Sequence, residues 1–179
     1  MGIEQVYRSV KPDIFHDLMQ HPEKAEAFFY GSLDDDEVML DFRAELESSE
    51  QFCDLGKDWQ AIHFLLTGEC ASSGKSKIPP PMSHVVLGGT GTPFECTYGF
   101  VRFLTPQEVQ AVADALNHIT EDDLRQNLIP HNFNTANIYP AGNKWDRNEL
   151  ESLLSLYGDL DEFYQKAADE GNYVLISLE

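Results

Sequence analysis

Cys53, His63, Cys70, His84 and Cys96 are the side chains best suited to ligate a metal or attack an electrophile, and 9, 6, 13 and 11 residues separate them in turn. None of these gaps matches the close C-x-x-C or H-x-x-x-H pairs from which zinc sites are built. No metal site is expected. A nucleophilic cysteine would require a histidine beside it in space, and the ordinary fate of a solitary cysteine is that of a small buried apolar residue.

Two glycine-rich stretches invite a nucleotide reading, and both fail on spacing. In "TGECASSGKS" (Thr67 to Ser76), five residues lie between Gly68 and Gly74 where a phosphate loop has four. The segment before it reads as a helix where a strand is needed, and prolines 79 to 81 occupy the place of the required helix. "LGGTGTP" lacks the G-x-G-x-x-G order and leads into no helix; it reads as a glycine turn feeding the strand at Tyr98. Neither an ATP or GTP site nor any other cofactor site is expected.

The remaining candidates are Trp59, His63, Tyr139, Trp145 and Asp146. His63 follows Trp59 by one turn beside Ile62, so it faces the core or the rim of a pocket. A hydrogen-bonded core histidine is the simpler role. Trp145 and Asp146, after "YPAGNK", read as a loop anchor over the core in preference to a recognition aromatic. Were the five to converge, an aromatic, a histidine and a carboxylate would form the minimum of a small-molecule or enzyme site. No residue is assigned a catalytic role, and the balance leans away from an enzyme.

Charge gives the other clue. With 31 acidic against 12 basic residues the formal charge is −19, which repels phosphate backbones and anionic lipid. Nucleic-acid and membrane-surface partners are disfavoured. Acidity of this size serves solubility; it also suits a cationic protein partner, whose encounter clusters such as "DDDE" (Asp34 to Glu37) and "EDD" (Glu121 to Asp123) would steer. Taken with the lack of a complete catalytic motif, it makes an acidic protein-binding module, immunity-like toward a cationic partner, the leading expectation, with a pocket near Trp59, His63 and the Tyr139 to Asp146 loop as the alternative. An odd number of scattered cysteines and no signal-like or spanning apolar stretch suggest a reduced, cytoplasmic protein. Oligomeric state is not legible.

The elements that would position these residues follow from hydrophobic periodicity. "IEQVYRSV" alternates weakly and suits a first strand; "KPDIFHDLMQHPEKAEAFF" starts a helix at Pro12, with Gly31 as its stop. Val38 to Ser48 fits strand or helix. "DLGKDWQAIHFLLTG" is a buried helix with Asp54 as cap and Gly68 at its end, and Ala71 to Ser83 is a loop. Gly88, Gly89 and Gly91 mark a turn, and "YGFVRFL" a buried strand. Thr105, Pro106 and Glu108 form a capping box for the helix that follows, and a short helix begins at Thr120. From Asn148 one apolar stripe runs to Ala167 across Gly158, where a bend or break is expected, before the closing strand "YVLISL". The sum is a single α+β domain over residues 1–179, a small sheet with terminal strands and several packed amphipathic helices.

"VYRSV", "DLGKDWQAIHFLLTG", "VLGG", "YGFVRFLTPQEV", "YP" followed by "WD", and "FYQKAADEGNYVLISL" occur in this order, and together the chain resembles the YfbM-like family of bacterial proteins, a domain-of-unknown-function family. The resemblance implies one α+β domain in the bacterial cytoplasm and supplies no activity, substrate or catalytic residue. Lys57, Trp59, His63, Thr67, Tyr139, Pro140, Trp145 and Asp146 match the family pattern most distinctively and would mark a shared surface or pocket. Gly56 departs from it, standing where family members commonly carry an acidic residue. That carboxylate would serve either a function or the first turn of the helix through its dipole.

Overall fold

Strands from opposite ends of the chain, Gln5–Val10 (β1) and Tyr173–Leu178 (β5), pair antiparallel at the middle of the sheet, with Tyr7 opposite Ile176 and Val10 opposite Tyr173. Phe52–Asp54 (β2) flanks β1, while the hairpin of Thr90–Cys96 (β3) and Gly99–Leu104 (β4) flanks β5. The order is β2-β1-β5-β4-β3 and every pairing is antiparallel. This computed structural model describes residues 2–30, 51–70, 76–140, 142 and 144–179.

Helices cover both faces. In chain order they are Pro12–Gln20 (α1), Ala25–Tyr30 (α2), Trp59–Thr67 (α3), Pro106–Leu116 (α4), Glu121–Asn127 (α5), Pro130–Thr135 (α6) and Arg147–Asp169 (α7). Tyr7, Leu104, Val174 and Ile176 pack on one face against α3, α4 and α7. Val10, Val101 and Leu175 pack on the other against Phe15 and Leu18 of α1 and Phe28 and Phe29 of α2. A strand covered on both sides needs no clean alternation, which is why β1, buried along its whole length, alternates only weakly in sequence. The result is a single-domain α+β fold. Among the described residues no helix is long and apolar enough to cross a membrane.

Polar side chains inside the first layer pin one irregular segment. The hydroxyls of Tyr7 and Tyr164 donate to the Val85 carbonyl at 3.1 and 2.9 Å, and Gln5 Nε2 donates to the Val86 carbonyl at 2.8 Å. They hold the 3₁₀ turn Met82–Val85 against the sheet. Each buried hydroxyl thereby finds a partner whose absence would cost about 1–3 kcal/mol. In the second layer Arg8 lies between the rings of Phe29 and Phe52, 5.0 and 5.5 Å from their centroids, and donates to Glu179 Oε1 at 2.7 Å.

Helix starts follow the sequence closely. Thr105 with Glu108, Thr120 with Asp123 and Asp146 with Glu149 each close a reciprocal capping box. Several expectations are corrected. The helix beginning at Pro12 is interrupted by a 3₁₀ turn at Pro22–Lys24, because Pro22 offers no N–H to the preceding turn. α7 runs unbroken through Gly158, since the apolar stripe on both sides outweighs one glycine. Asp54 does not cap α3: its Oδ1 accepts from the Gly56 N–H at 2.7 Å, ahead of a 3₁₀ turn at Gly56–Asp58. Gly91 lies within β3, whose Thr92, Phe94 and Cys96 are buried on alternate positions. β4 is only half covered, with Phe100 61% exposed. The ambiguous stretch 38–48, Gly31 and residues 71–75 of the loop lie outside the described residues.

Candidate functional site

Trp59 opens α3 at 6% exposure, and its Nε1 donates to the Ile3 carbonyl at 3.2 Å. Its ring lies 5.9 Å from that of Tyr139, whose hydroxyl accepts the Ile3 N–H at 2.5 Å while its own N–H donates to Gln60 Oε1 at 2.9 Å. Trp59 and Tyr139 are thus brought together, and both grip the chain just before β1.

Trp145 belongs to a second aromatic group. Its ring lies 5.7 Å from Phe133, which meets Phe64 edge-on at 4.9 Å. Asn134 clamps its backbone on both sides, accepting from its N–H and donating to its carbonyl, each at 2.9 Å. The Asp146 carboxylate is engaged as the cap of α7, accepting from the N–H groups of Asn148 and Glu149 at 2.8 and 2.9 Å.

His63 is 1% exposed, and its Nε2 lies 3.3 Å from Glu69 Oε2. Glu69 also accepts from Ser76 Oγ at 2.5 Å and from the Lys77 N–H at 2.8 Å. These bonds, that from Ser76 first, hold the Glu69 carboxyl below its ordinary range. Burial lowers the His63 pKa and Glu69 opposes that shift in part. Glu69 Oε2 thus lies between Ser76 Oγ and His63 Nε2, so the serine hydroxyl donates to the carboxylate and not to this histidine, unlike the order of a catalytic triad. Among the described residues Nδ1 of His63 has no hydrogen-bond partner.

Four clefts formed by described residues lie elsewhere, and none of them is lined by these five side chains. One, of about 350 Å³, runs between β2 and the middle of α7, with Asp54, Asp159 and Glu162 around Cys53 and Phe163. Burial, with Asp159 and Asp54 adding to it, pushes the Cys53 thiol up to about 12. It therefore stays protonated at neutral pH and is no nucleophile. Another, of about 690 Å³, follows the outer edge of β3 beside α2. Asp159, Glu162 and Lys166 do show helical spacing in the sequence, but nothing there tells that β2 will stand opposite them.

A family model described as a domain of unknown function, DUF1877, matches residues 1–177. The chain belongs to the DUF1877 family. A relative in the family resemblance, Protein YfbM of Escherichia coli (strain K12), is 27% identical over 125 residues, covering 68% of this chain and 73% of that protein. The crystal structure described as a protein of unknown function, YfbM from Escherichia coli, superposes with a TM-score of 0.69 at 20% identity, over 98% of this chain and 99% of that one. At that identity the likeness establishes a shared fold. Gly56 has φ of +53°, and a Cβ built there meets nothing within 4 Å. An acidic side chain at this position would stand in solvent on a left-handed backbone, which glycine adopts without strain.

Proposed function

We propose that this DUF1877 protein is an acidic module that binds a cationic protein partner, much as an immunity protein masks a basic toxin. The observation that carries the reading is the disposition of its few cations. Arg8 is buried against Glu179, Arg102 donates to the carbonyls of Gly88 and Val86, Lys24 is bound to Asp17, and Arg125 to Glu121 and Glu151. Glu149, Asp159, Glu162 and Asp169 stand exposed along α7, and carboxylates line each of the clefts described above. A charge of −19, with four of the twelve lysines and arginines held in this way, leaves a negative field at the surface, which speeds encounter with a basic protein and discriminates against acidic ones.

A salt series in a pull-down from the native host tests it. A basic protein should be retained at about 0.05 M salt and shed progressively by about 0.5 M, where exposed charges are screened within a few ångströms. Charge reversal at Asp159 and Glu162 should speed that loss. Recovery of no protein partner at any ionic strength would end the reading.

A further inference from the structure

We propose that the cleft along β3 is the docking site for an amphipathic basic segment of the partner, one that carries lysine or arginine around a bulky apolar anchor. The proposal rests on the acidic-module reading and adds the place of contact and the chemistry of the contacting segment. Phe100 and Tyr30 are 61% and 45% exposed and line this cleft together with Pro93. Large apolar side chains grouped in the open, beside a concavity of about 690 Å³, are the uncommon observation on a protein surface. Tyr30 is also held in place: its hydroxyl lies 3.1 Å from Cys96 Sγ, to which it donates, and 3.2 Å from Thr97 Oγ1. A fixed aromatic loses little freedom on binding and makes an effective anchor site.

The rim supplies the charge. Glu23, Glu26 and Glu95 line the cleft, and among the described residues no lysine or arginine does. Glu95 pairs directly across the hairpin with Phe100, so carboxylate and ring stand side by side on one face of the two strands. An apolar floor under a carboxylate rim matches a basic amphipathic segment and disfavours three other occupants. Nucleic acid and anionic lipid carry the wrong sign. A second copy would bring the same three glutamates and a charge of −19 against itself. Addition of a partner strand to the edge of β3 is hindered by Pro93, which has no N–H, and by the irregular register between Gly91 and Glu95. Recognition therefore falls to side chains.

The test uses the full chain and defined peptides: a helical lysine–leucine peptide with one tryptophan, the same peptide with every apolar residue replaced by serine, and a glutamate–leucine counterpart. Amide shifts in the labelled protein should gather at Tyr30, Glu95 and Phe100 for the first peptide, and the other two should bind at least about tenfold more weakly. Phe100→Ser, at a site too exposed to disturb the core, should weaken the first peptide about tenfold or more. The pair Glu26→Gln and Glu95→Gln should flatten its salt dependence. Equal affinity of the lysine–leucine and lysine–serine peptides, shifts centred on α7, or an unchanged Phe100→Ser variant would overturn the cleft and leave the acidic-module reading standing. Tight binding of the glutamate–leucine peptide would overturn the role of the rim, and a dimer dissociated by Phe100→Ser would assign the cleft to a second copy. Failure of any lysine peptide to bind at low salt would remove both the cleft and the reading beneath it.

Discussion

The rings of Trp59, Trp145 and Phe133 are buried and the polar groups of the two indole residues are engaged with their neighbours, whereas along β3 the rings of Tyr30 and Phe100 are exposed beside a row of glutamates. The side-chain types in the two regions are much alike. What separates them is what remains unfilled after folding: the first is closed by Phe133, Phe64 and the Ile3 backbone, and the second is left open. Residue type thus nominates a site, and only the surrounding packing decides whether free surface is left to bind anything.

The widest test of that contrast is a pair of truncations read by urea unfolding. Trp59→Ala removes a buried indole and its bond to Ile3, and should cost about 3–5 kcal/mol. Phe100→Ser should change stability by less than about 0.5 kcal/mol. Should Trp59→Ala cost under about 1 kcal/mol, the indole would be covering a cavity that can close or fill without it, and the two regions would differ less than their burial indicates.

His63 sharpens the comparison, because its buried Nδ1 has no hydrogen-bond partner among the described residues. His63→Gln should destabilise by about 1–2 kcal/mol through loss of the bond to Glu69 and of ring packing. Burial holds the His63 pKa below its ordinary 6.5, so the unfolded chain takes up the proton first as pH falls. Between 6.5 and the folded value the unfolded state binds more protons, and the histidine's contribution to stability is present above this window and declines as pH drops through it. Wild type and variant should therefore converge on acidification in denaturant melts run from neutral to mildly acid pH. Parallel profiles would mean that His63 titrates alike in both states.

The helical scaffold was largely legible in the sequence, whereas the open edge along β3 was not, for a physical reason. The capping box at Thr105, the stripe from Leu150 to Ala167 and the apolar run of β5 depend on local sequence, which a single chain displays. β3 depends on its partner. "TGTPFEC" contains Gly91 and Pro93, poor strand formers, and it is a strand because β4 hydrogen-bonds to it at the sheet edge. Likewise the exposure of Phe100 follows from where the covering helices stop, since α3, α4 and α7 pack over the middle of the sheet and leave the hairpin end open. That Trp59 meets Tyr139 across 80 residues, and Trp145 meets Phe133 and not Trp59, is likewise a matter of which helices become neighbours.

Two glycines carry the same contrast into the backbone with the smallest effects. Gly158 lies in the middle of α7, where a Cβ meets nothing within 4 Å, so alanine adds no clash and removes only the entropic penalty of glycine in a helix. Gly158→Ala should raise stability by about 0.5–1 kcal/mol. Gly99 follows the turn at Thr97 and Tyr98 with φ of +110°, a conformation that side-chain-bearing residues rarely adopt. Gly99→Ala has equally open space around it, yet should lower stability by about 1 kcal/mol, because the strain lies in the backbone. Opposite signs at two uncrowded glycines would show that the helical layer has conformational slack while the hairpin beneath the open cleft is held in shape by its turn. Equal signs would mean that the hairpin relaxes on substitution, and a surface that relaxes so easily would not hold Phe100 and Glu95 side by side for a partner.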